Sequence, residues 1–410
     1  MKSRNKKKHH KKTRPRTSVV KSKKTGGFKG GLAHIKVVGV GGGGGNAVSR
    51  MMAGERPRGV EFIAVNTDAQ DLDYATAHRK IYIGRALTRG LGAGMNPEIG
   101  KQAAEENRSE IGEALEGADI VFITAGMGGG TGTSGSAVIA EIAKEKGILT
   151  VAVVTKPFTF EGAQRMNIAQ EGLSRLKEKV DALVVIPNDR IFSIIDKDTP
   201  ILRAFSFIDD VLKQAVRAIT ELVNTPGIIN VDFADIKAVL RDAGTTLISI
   251  GTASGQERSI KAVNAAVNSP LLEVSLDGAK GVVFSIAGTR DMKMSEINEI
   301  AKAISANLDA NARVIFGAYY DRGLKDKALK VTVIATGFNG VFPQRSMIPS
   351  LFMSGDGQKK EIKLEQSQVK PESEGEKASE MKEKGVKGGQ AKTENGEPWE
   401  IPTFLRKKKR

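Results

Sequence analysis

A chain of 410 residues that is 40% apolar has the length for two or three domains and ample material for their cores. It contains no cysteine, which excludes disulfides, thiolate zinc sites and thiol nucleophiles, and no apolar run approaches the roughly 18–20 residues of a membrane span. The net charge of +16 belongs to the ends: residues 1–34 hold 13 Lys and Arg and no acid, residues 343–410 hold 15 against 11 acids, and residues 35–342 are left at −1. Nucleic-acid recognition by the folded body is therefore unsupported, apart from weak contacts of the tails. The four histidines, His9, His10, His34 and His78, show no metal-binding spacing.

Residues 1–34 carry dense like charge and little to bury, so they are expected to be a disordered tail, either simply solvated or weakly attracted to anionic lipid or nucleic acid. A strand is predicted from Ile35 (IKVVGV), running into GGGGGNAVSRMMAG. Gly39, Gly41 and Gly44 satisfy G-x-G-x-x-G, but five consecutive glycines do so trivially. Asn46 is placed to cap the helix that follows. The next strand, EFIAVNTD, ends in Asn66, Thr67 and Asp68, polar residues at a carboxyl end, where open α/β sheets bind ligands. Leu87–Ile99 is a further glycine-rich loop, leading into a charged helix expected over Glu98–Leu115.

The apolar run Ile120–Thr124 precedes GMGGGTGTSGS (Gly126–Ser136), and a helical run, Ala137–Lys146, follows it. Strand, glycine loop and helix in that order bring backbone N–H groups and a helix N-terminus to the mouth of a sheet, where phosphate binds. A flexible linker is the plainer alternative, but linkers are seldom bracketed by a buried strand and a helix. With Leu149–Thr155 as the next strand, the alternation predicts a doubly wound, mostly parallel sheet. No G-x-x-x-x-G-K-[ST] occurs and none of these loops holds a lysine, so phosphate binding would rest on the backbone.

Glu161 and Arg165 are spaced i, i+4, which on its own favours a surface ion pair. Asp181–Pro187 reads as a strand ending at Asn188. Thr199–Val223 carries two apolar stripes, one of them through Ile201, Phe205, Ile208 and Leu212, so a long helix buried between layers is expected. NTPG breaks it. The segment IINVDFADIKAVL then gathers Asn230, Asp232 and Asp235, either as an exposed loop with chemistry or as the cap of a helix from Ile236. From Thr245 a smaller mixed α/β domain of about four strands and two helices is expected. Residues 343–396 read as a disordered linker spanning roughly 40 Å. Glu397–Arg410 (EPWEIPTFLRKKKR) has the apolar anchors of a partner-binding peptide.

Taken together, GVGGGGGNAV (39–48), FIAVNTDAQ (62–70), LTRGLGAGMNPEIG (87–100), AGMGGGTGT (125–133), VVTKPFTFEGAQR (153–165), IPND (186–189), NVDFAD (230–235) and IPTFLR (401–406) resemble the bacterial tubulin-like cell-division GTPases of the FtsZ family. The resemblance implies a basic tail (1–34), a GTP-binding domain (35–198), a central helix (199–224), a C-terminal domain (225–340) with a catalytic loop at 224–235, a linker (341–396) and a docking peptide (397–410). It assigns Gly42, Gly43, Gly44, Gly45 and Asn46 to the first nucleotide loop, and Gly129, Gly130, Thr131, Gly132 and Thr133 to the phosphate loop. Glu161 and Arg165 match positions on the sugar and base side, against the surface-pair reading. Asn188 and Asp209 match guanine-contacting positions, and Phe205 matches one that packs on the base.

The resemblance further implies GTP/GDP with Mg²⁺ held by phosphates and water, and head-to-tail self-assembly. Asp232 and Asp235, beside Asn230, would orient the attacking water in the next subunit's site. Ile401, Pro402, Phe404 and Leu405 would dock on membrane-anchoring division proteins, and the protein would act in the cytoplasm at midcell. The rivals are a hydrolysis-deficient scaffold of the same fold and an NAD-dependent dehydrogenase; the latter leaves GGGTGT and NVDFAD unexplained. One departure is visible: Ser134 stands where the family has a further glycine.

Overall fold

The computed structural model describes residues 33–338 apart from 54–58, 197, 270–275 and 307. The basic tail up to residue 32, the linker and the docking peptide lie outside the described residues, as does the side chain of Ile201.

The first part of the chain alternates strand and helix. β1 (Ile35–Val40) leads into α1 (Gly41–Ala53), β2 (Val60–Asn66) into α2 (Ala69–Tyr74), and β3 (Arg79–Tyr82) into α3 (Arg85–Thr88), α4 (Pro97–Glu106) and α5 (Arg108–Leu115). β4 (Ile120–Gly126) is followed by α6 (Thr131–Glu145), β5 (Leu149–Lys156) by α7 (Ala163–Lys177), and β6 (Ala182–Pro187) by the long α8 (Ile201–Asn224). After α9 (Phe233–Leu240) come β7 (Gly244–Ser254), α10 (Arg258–Val267), β8 (Gly281–Gly288), α11 (Met294–Ser305), β9 (Arg313–Tyr320) and β10 (Ala328–Thr336).

The strands follow the order β3-β2-β1-β4-β5-β6-β7-β10-β8-β9. From β3 to β6 every pairing is parallel. β6 and β7 share only the pairs Ala182–Gly244 and Leu183–Thr245, and beyond them β10 runs antiparallel to β7 and β8. The mostly parallel sheet with a smaller mixed part beside it is the predicted fold class.

Successive strand residues face opposite layers, as a period of two requires. Val38, Ile63, Ile123 and Val154 pack with α4, α5, α6 and α7, while Val37, Phe62, Phe122 and Val153 pack with α1, α8 and α9. Strands covered on both faces read as continuous apolar runs, which is how they were visible in the sequence. Because α1 and α6 lie on opposite faces although β1 and β4 are neighbours, the connections part at the carboxyl ends of these two strands. Such a switch point opens a crevice.

Three expectations change. The glycine run is not a loop: Gly41–Gly45 form the first turn of α1, and Asn46 is its sixth residue, so it cannot cap the helix. Likewise α6 starts at Thr131, leaving only Met127–Gly130 as loop. The helix expected over Glu98–Leu115 breaks at Asn107, whose amide accepts from Gly84 N (3.0 Å) and donates to Glu110 (3.1 Å). In α8, Ile208, Leu212, Val216 and Ile219 are buried as expected, but Phe205, placed on the same stripe, is 41% exposed. Near the start of α8, Phe207 packs on the small cluster of Phe158, Ile191 and Ile208 while Phe205 stays exposed.

Near its other end α8 is tied to the mixed strands. The Glu221 carboxylate accepts from the Tyr319 hydroxyl (2.8 Å) and from Lys330 Nζ (2.9 Å), and Lys330 also meets Asp321 at 3.0 Å. Burial works against the charge of Glu221, but Lys330, Arg217 and Tyr319 outweigh it and hold the carboxyl below its usual range.

Candidate functional site

The crevice floor is built of backbone. A Cβ on Gly44 would collide with the Thr124 carbonyl oxygen, so the start of α1 rests directly on β4. A Cβ on Gly132 would come within 2.7 Å of Gly126 O, and one on Gly130 within 2.7 Å of Ala93 Cβ and Asn96 O. These glycines serve close packing, and they draw the Leu87–Ile99 loop against the phosphate loop. Gly129 is different: nothing lies within 4 Å of the Cβ it lacks. Open space there adjoins the N-termini of α1 and α6, which approach so closely that a Cβ on Gly41 would lie 3.0 Å from Gly132 N. Two helix ends converging on one open space present free N–H groups and two positive dipole ends to an anion.

Polar side chains brace this floor. The Thr67 and Thr131 hydroxyls are 2.6 Å apart, and the Thr88 hydroxyl donates to Thr67 O (3.1 Å). Thr133 is turned inward, its hydroxyl accepting from Gly128 N at 2.9 Å. Asp68 is the N-cap of α2, accepting from Asp71 N (3.0 Å), and Asn66 accepts from Asp68 N (3.3 Å). A hollow beside them is lined by Gly41, Gly42, Gly45, Asn46, Asn66 and Asp71.

On the other side, Glu161 and Arg165 do form the ion pair their spacing predicts, at 3.0 Å. Arg165 of this pair also borders the Met127–Gly130 loop. Arg165 lies over Gly128, where a Cβ would come 2.8 Å from Arg165 Cγ, and its Nε is buried without a partner. Asn188, at the end of β6, is 8% exposed with an unpartnered Oδ1. Phe205 and Asp209 are one turn apart on α8, with the Phe205 ring edge-on to Phe158 at 5.8 Å.

Burial pushes the Asp209 carboxyl up to about 6; Arg50, whose Nε lies 2.8 Å from Oδ2, opposes the shift, and Asp210 adds to it. Among the described residues the buried side-chain atoms without partners are Thr124 Oγ1, Ser134 Oγ, Arg165 Nε and Asn188 Oδ1. All four belong to the carboxyl ends of β4 and β6 or to the first turns of α6 and α7. Unmade hydrogen bonds are costly, so their concentration here fits a site kept for a polar ligand.

Asn230, Asp232 and Asp235 do not join this cleft. Asn230 accepts from Gly227 N (2.6 Å) and closes a turn after α8. Asp232 is the N-cap residue of α9 but makes no side-chain cap bond, and Asp235 is in the first turn. Both acids are exposed. The helix begins at Phe233, earlier than the expected Ile236. From Phe205 to Asn224 helical rise alone gives roughly 28 Å, so these acids stand at the far end of α8 from the cleft.

Two residues near the cleft escaped the sequence reading. Asp71 was hidden in a short polar helix. Arg50 carries the only charge in α1, a signal that stands out once α1 is known to start the site.

Comparison with known proteins agrees with this architecture. The profile of the Tubulin/FtsZ family, GTPase domain, matches residues 34–196, and that of the FtsZ family, C-terminal domain, matches residues 244–339. The chain is similar to an FtsZ from M. jannaschii solved as an empty dimer, with 48% identity over 74% of this chain and 88% of that one and a TM-score of 0.70. CetZ1 from Haloferax volcanii, solved as a GDP-bound monomer, shares the fold at 21% identity, with coverage of 76% and 96% and a TM-score of 0.66. CetZ2 from the same organism, solved as a GTPγS-bound protofilament, shares it at 21% identity, covering 75% and 94%, with a TM-score of 0.63. From the converging helix ends, the two glycine segments and these matches, the chain belongs to the FtsZ family of tubulin-like GTPases.

Proposed function

We propose that this chain binds GTP in the switch-point cleft and hydrolyses it only when the next copy in a head-to-tail filament supplies Asp232 and Asp235. The observation that carries this reading is the position of those acids, exposed and a helix length from the cleft they would serve. Phosphoryl transfer needs placement and charge stabilisation more than covalent help. The N-termini of α1 and α6 hold the phosphates through backbone N–H groups; Gly42, Gly43, Gly44, Gly45 and Asn46 and the Gly129–Thr133 segment form the cradle. Glu161 and Arg165 face the sugar, while Asn188, Phe205 and Asp209 meet the base. The incoming carboxylates, beside Asn230, align water on the γ-phosphate. A heterologous contact that does not close on itself builds a filament, and the dimer and protofilament described for the M. jannaschii FtsZ and CetZ2 support self-association.

Among the described residues no group of three or more His, Cys, Asp or Glu side chains is placed to hold a metal. Mg²⁺ would be carried by phosphate oxygens and water, where it would neutralise charge on the triphosphate. No helix among the described residues is long and apolar enough to cross a membrane. Recruitment to a division ring at midcell would run through a membrane-anchored partner gripping Ile401, Pro402, Phe404 and Leu405, apolar anchors in a short peptide. We retain the division into a tail (1–34), GTP-binding domain (35–198), central helix (199–224), C-terminal domain (225–340), linker (341–396) and docking peptide (397–410).

The test is sedimentation of purified protein with GTP, GDP or ATP, with and without Mg²⁺, alongside phosphate release. GTP- and Mg²⁺-dependent pelleting with turnover per subunit that rises with concentration is expected. Turnover independent of concentration defeats the shared site, and pelleting without phosphate release favours the hydrolysis-deficient scaffold.

A further inference from the structure

A carboxylate that reads guanine must be ionised and must have an oxygen to spare. Guanine offers two adjacent donors, N1–H and the exocyclic amine, and an ionised carboxylate, which is acceptor-only, meets them without a competing O–H. Adenine has an acceptor at N1, which the same anion repels.

The surroundings of Asp209 meet both needs through one side chain. Arg50 of α1 does not fork over the carboxylate. Its Nε lies 2.8 Å from Oδ2, and its Nη1 donates instead to Ser206 Oγ at 2.6 Å. The Ser206 hydroxyl is itself fixed by donating to Leu202 O at 2.8 Å. The guanidinium is thus strapped along α8 with one arm on Asp209, and Oδ1 is left out of the pair. The charged groups acting on this carboxyl are Arg50 from α1 and Asp210 on α8 itself, with opposite effects. Burial favours the protonated form, which would blur the reading of guanine, and Arg50 is the group that opposes it.

We propose that Arg50 is the positioning residue for base recognition: by pairing with Oδ2 it holds the Asp209 carboxylate with Oδ1 free for the base, and so sets the preference for guanine over adenine nucleotides. This rests on Asp209 being the group that reads the base.

The test is calorimetric titration of the full chain with GDP and with ADP between pH 5.5 and 8, which needs no filament. Arg50→Gln is expected to weaken GDP about tenfold at pH 7, leave ADP unchanged, and move the fall in GDP affinity at acid pH to higher pH. Arg50→Lys, which keeps the charge, is expected to recover most of the affinity and the parental pH profile. Parental GDP affinity and pH profile in Arg50→Gln overturn the proposal, as does an equal loss in Arg50→Lys with no change in the pH profile. Asp209→Asn separates the layers of the argument. If it loses GDP while Arg50→Gln does not, the role of Arg50 alone fails. If it binds GDP like the parent, the reading of Asp209 fails and the proposal with it.

Discussion

The hydroxyls of Thr67 and Thr131 lie 2.6 Å apart in a buried setting, joining the end of β2 to the first residue of α6. Only one proton lies between the two oxygens, so one threonine has a proton left for another acceptor. If Thr67 donates, that proton is on Thr131, at the helix end where an anion would sit. Thr131→Val keeps the shape, strands the Thr67 hydroxyl, and is expected to cost about 1–3 kcal/mol of stability. Thr67→Val should cost about as much in thermal unfolding but weaken nucleotide less in titration. Equal binding losses in the two variants would assign Thr131 a bracing role only.

Two glycines of the cradle are expected to behave in opposite ways. Gly44→Ala drives a methyl into Thr124 O, with no flexible side chain to yield, whereas Gly129→Ala meets nothing within 4 Å. Gly44→Ala is expected to lower the unfolding midpoint sharply, since a backbone clash forces β4 and α1 apart. Gly129→Ala should unfold like the parent yet bind GDP more weakly, because its methyl fills space meant for phosphate. A Gly129→Ala protein with parental GDP affinity would place the phosphate elsewhere.

Asp235→Ala should leave the fold and GTP binding intact, since its side chain is exposed and stands far from the cleft. Phosphate release is expected to fall by about 100-fold or more, the scale of a lost positioning or charge-stabilising group. Mixing it with a variant unable to bind nucleotide but retaining Asp235 should restore part of the turnover. Failure of both results would remove the acid loop from the mechanism.

The Glu221–Lys330–Asp321 cluster makes a prediction about pH. Glu221 and Asp321 are both held below the ordinary carboxylate range: burial opposes this in each, and Lys330 contributes to the lowering in each. Groups with depressed folded values supply stability that is present above the unfolded pKa and lost as pH falls through the folded one. Lys330→Met should therefore cost about 1–3 kcal/mol near neutrality, where two half-buried anions lose a shared cation while Glu221 keeps Arg217. The deficit should shrink below about pH 4, as the acids take up protons in both proteins. Denaturant unfolding at pH 7 and at pH 3.5 measures this; a deficit independent of pH would mean that Lys330 contributes by packing alone.

Much of this was readable before the structure, and the misreadings have physical causes. Apolar runs such as Ile120–Thr124 and Leu149–Thr155 announce a parallel sheet because both their faces are covered. Glycine misled at α1 and α6, since its low helix propensity argues for loop while close packing on β4 demands it inside a helix. The break at Asn107 escaped because its cause is a hydrogen bond to Gly84, remote in sequence. The pairing of Arg50 with Asp209 was invisible for the same reason. The spacing of Glu161 and Arg165 predicted an ion pair correctly, and that pair leaves Arg165 against Gly128, next to the loop to which the family resemblance assigned the phosphate. Phe205, near the start of α8, is exposed, where amphipathic patterning alone expected burial.

The length of α8 has a consequence of its own. If its first turns read the base of one nucleotide and the loop beyond Asn224 reaches the nucleotide of the neighbour, the helix is a ruler for the spacing of copies. Each residue inserted would lengthen it by about 1.5 Å and swing the loop by about 100° around the axis. Single insertions should thus be far more damaging than substitutions on its solvent side. Even a full extra turn, which restores the phase, would leave the acids about 5 Å out of step along the axis.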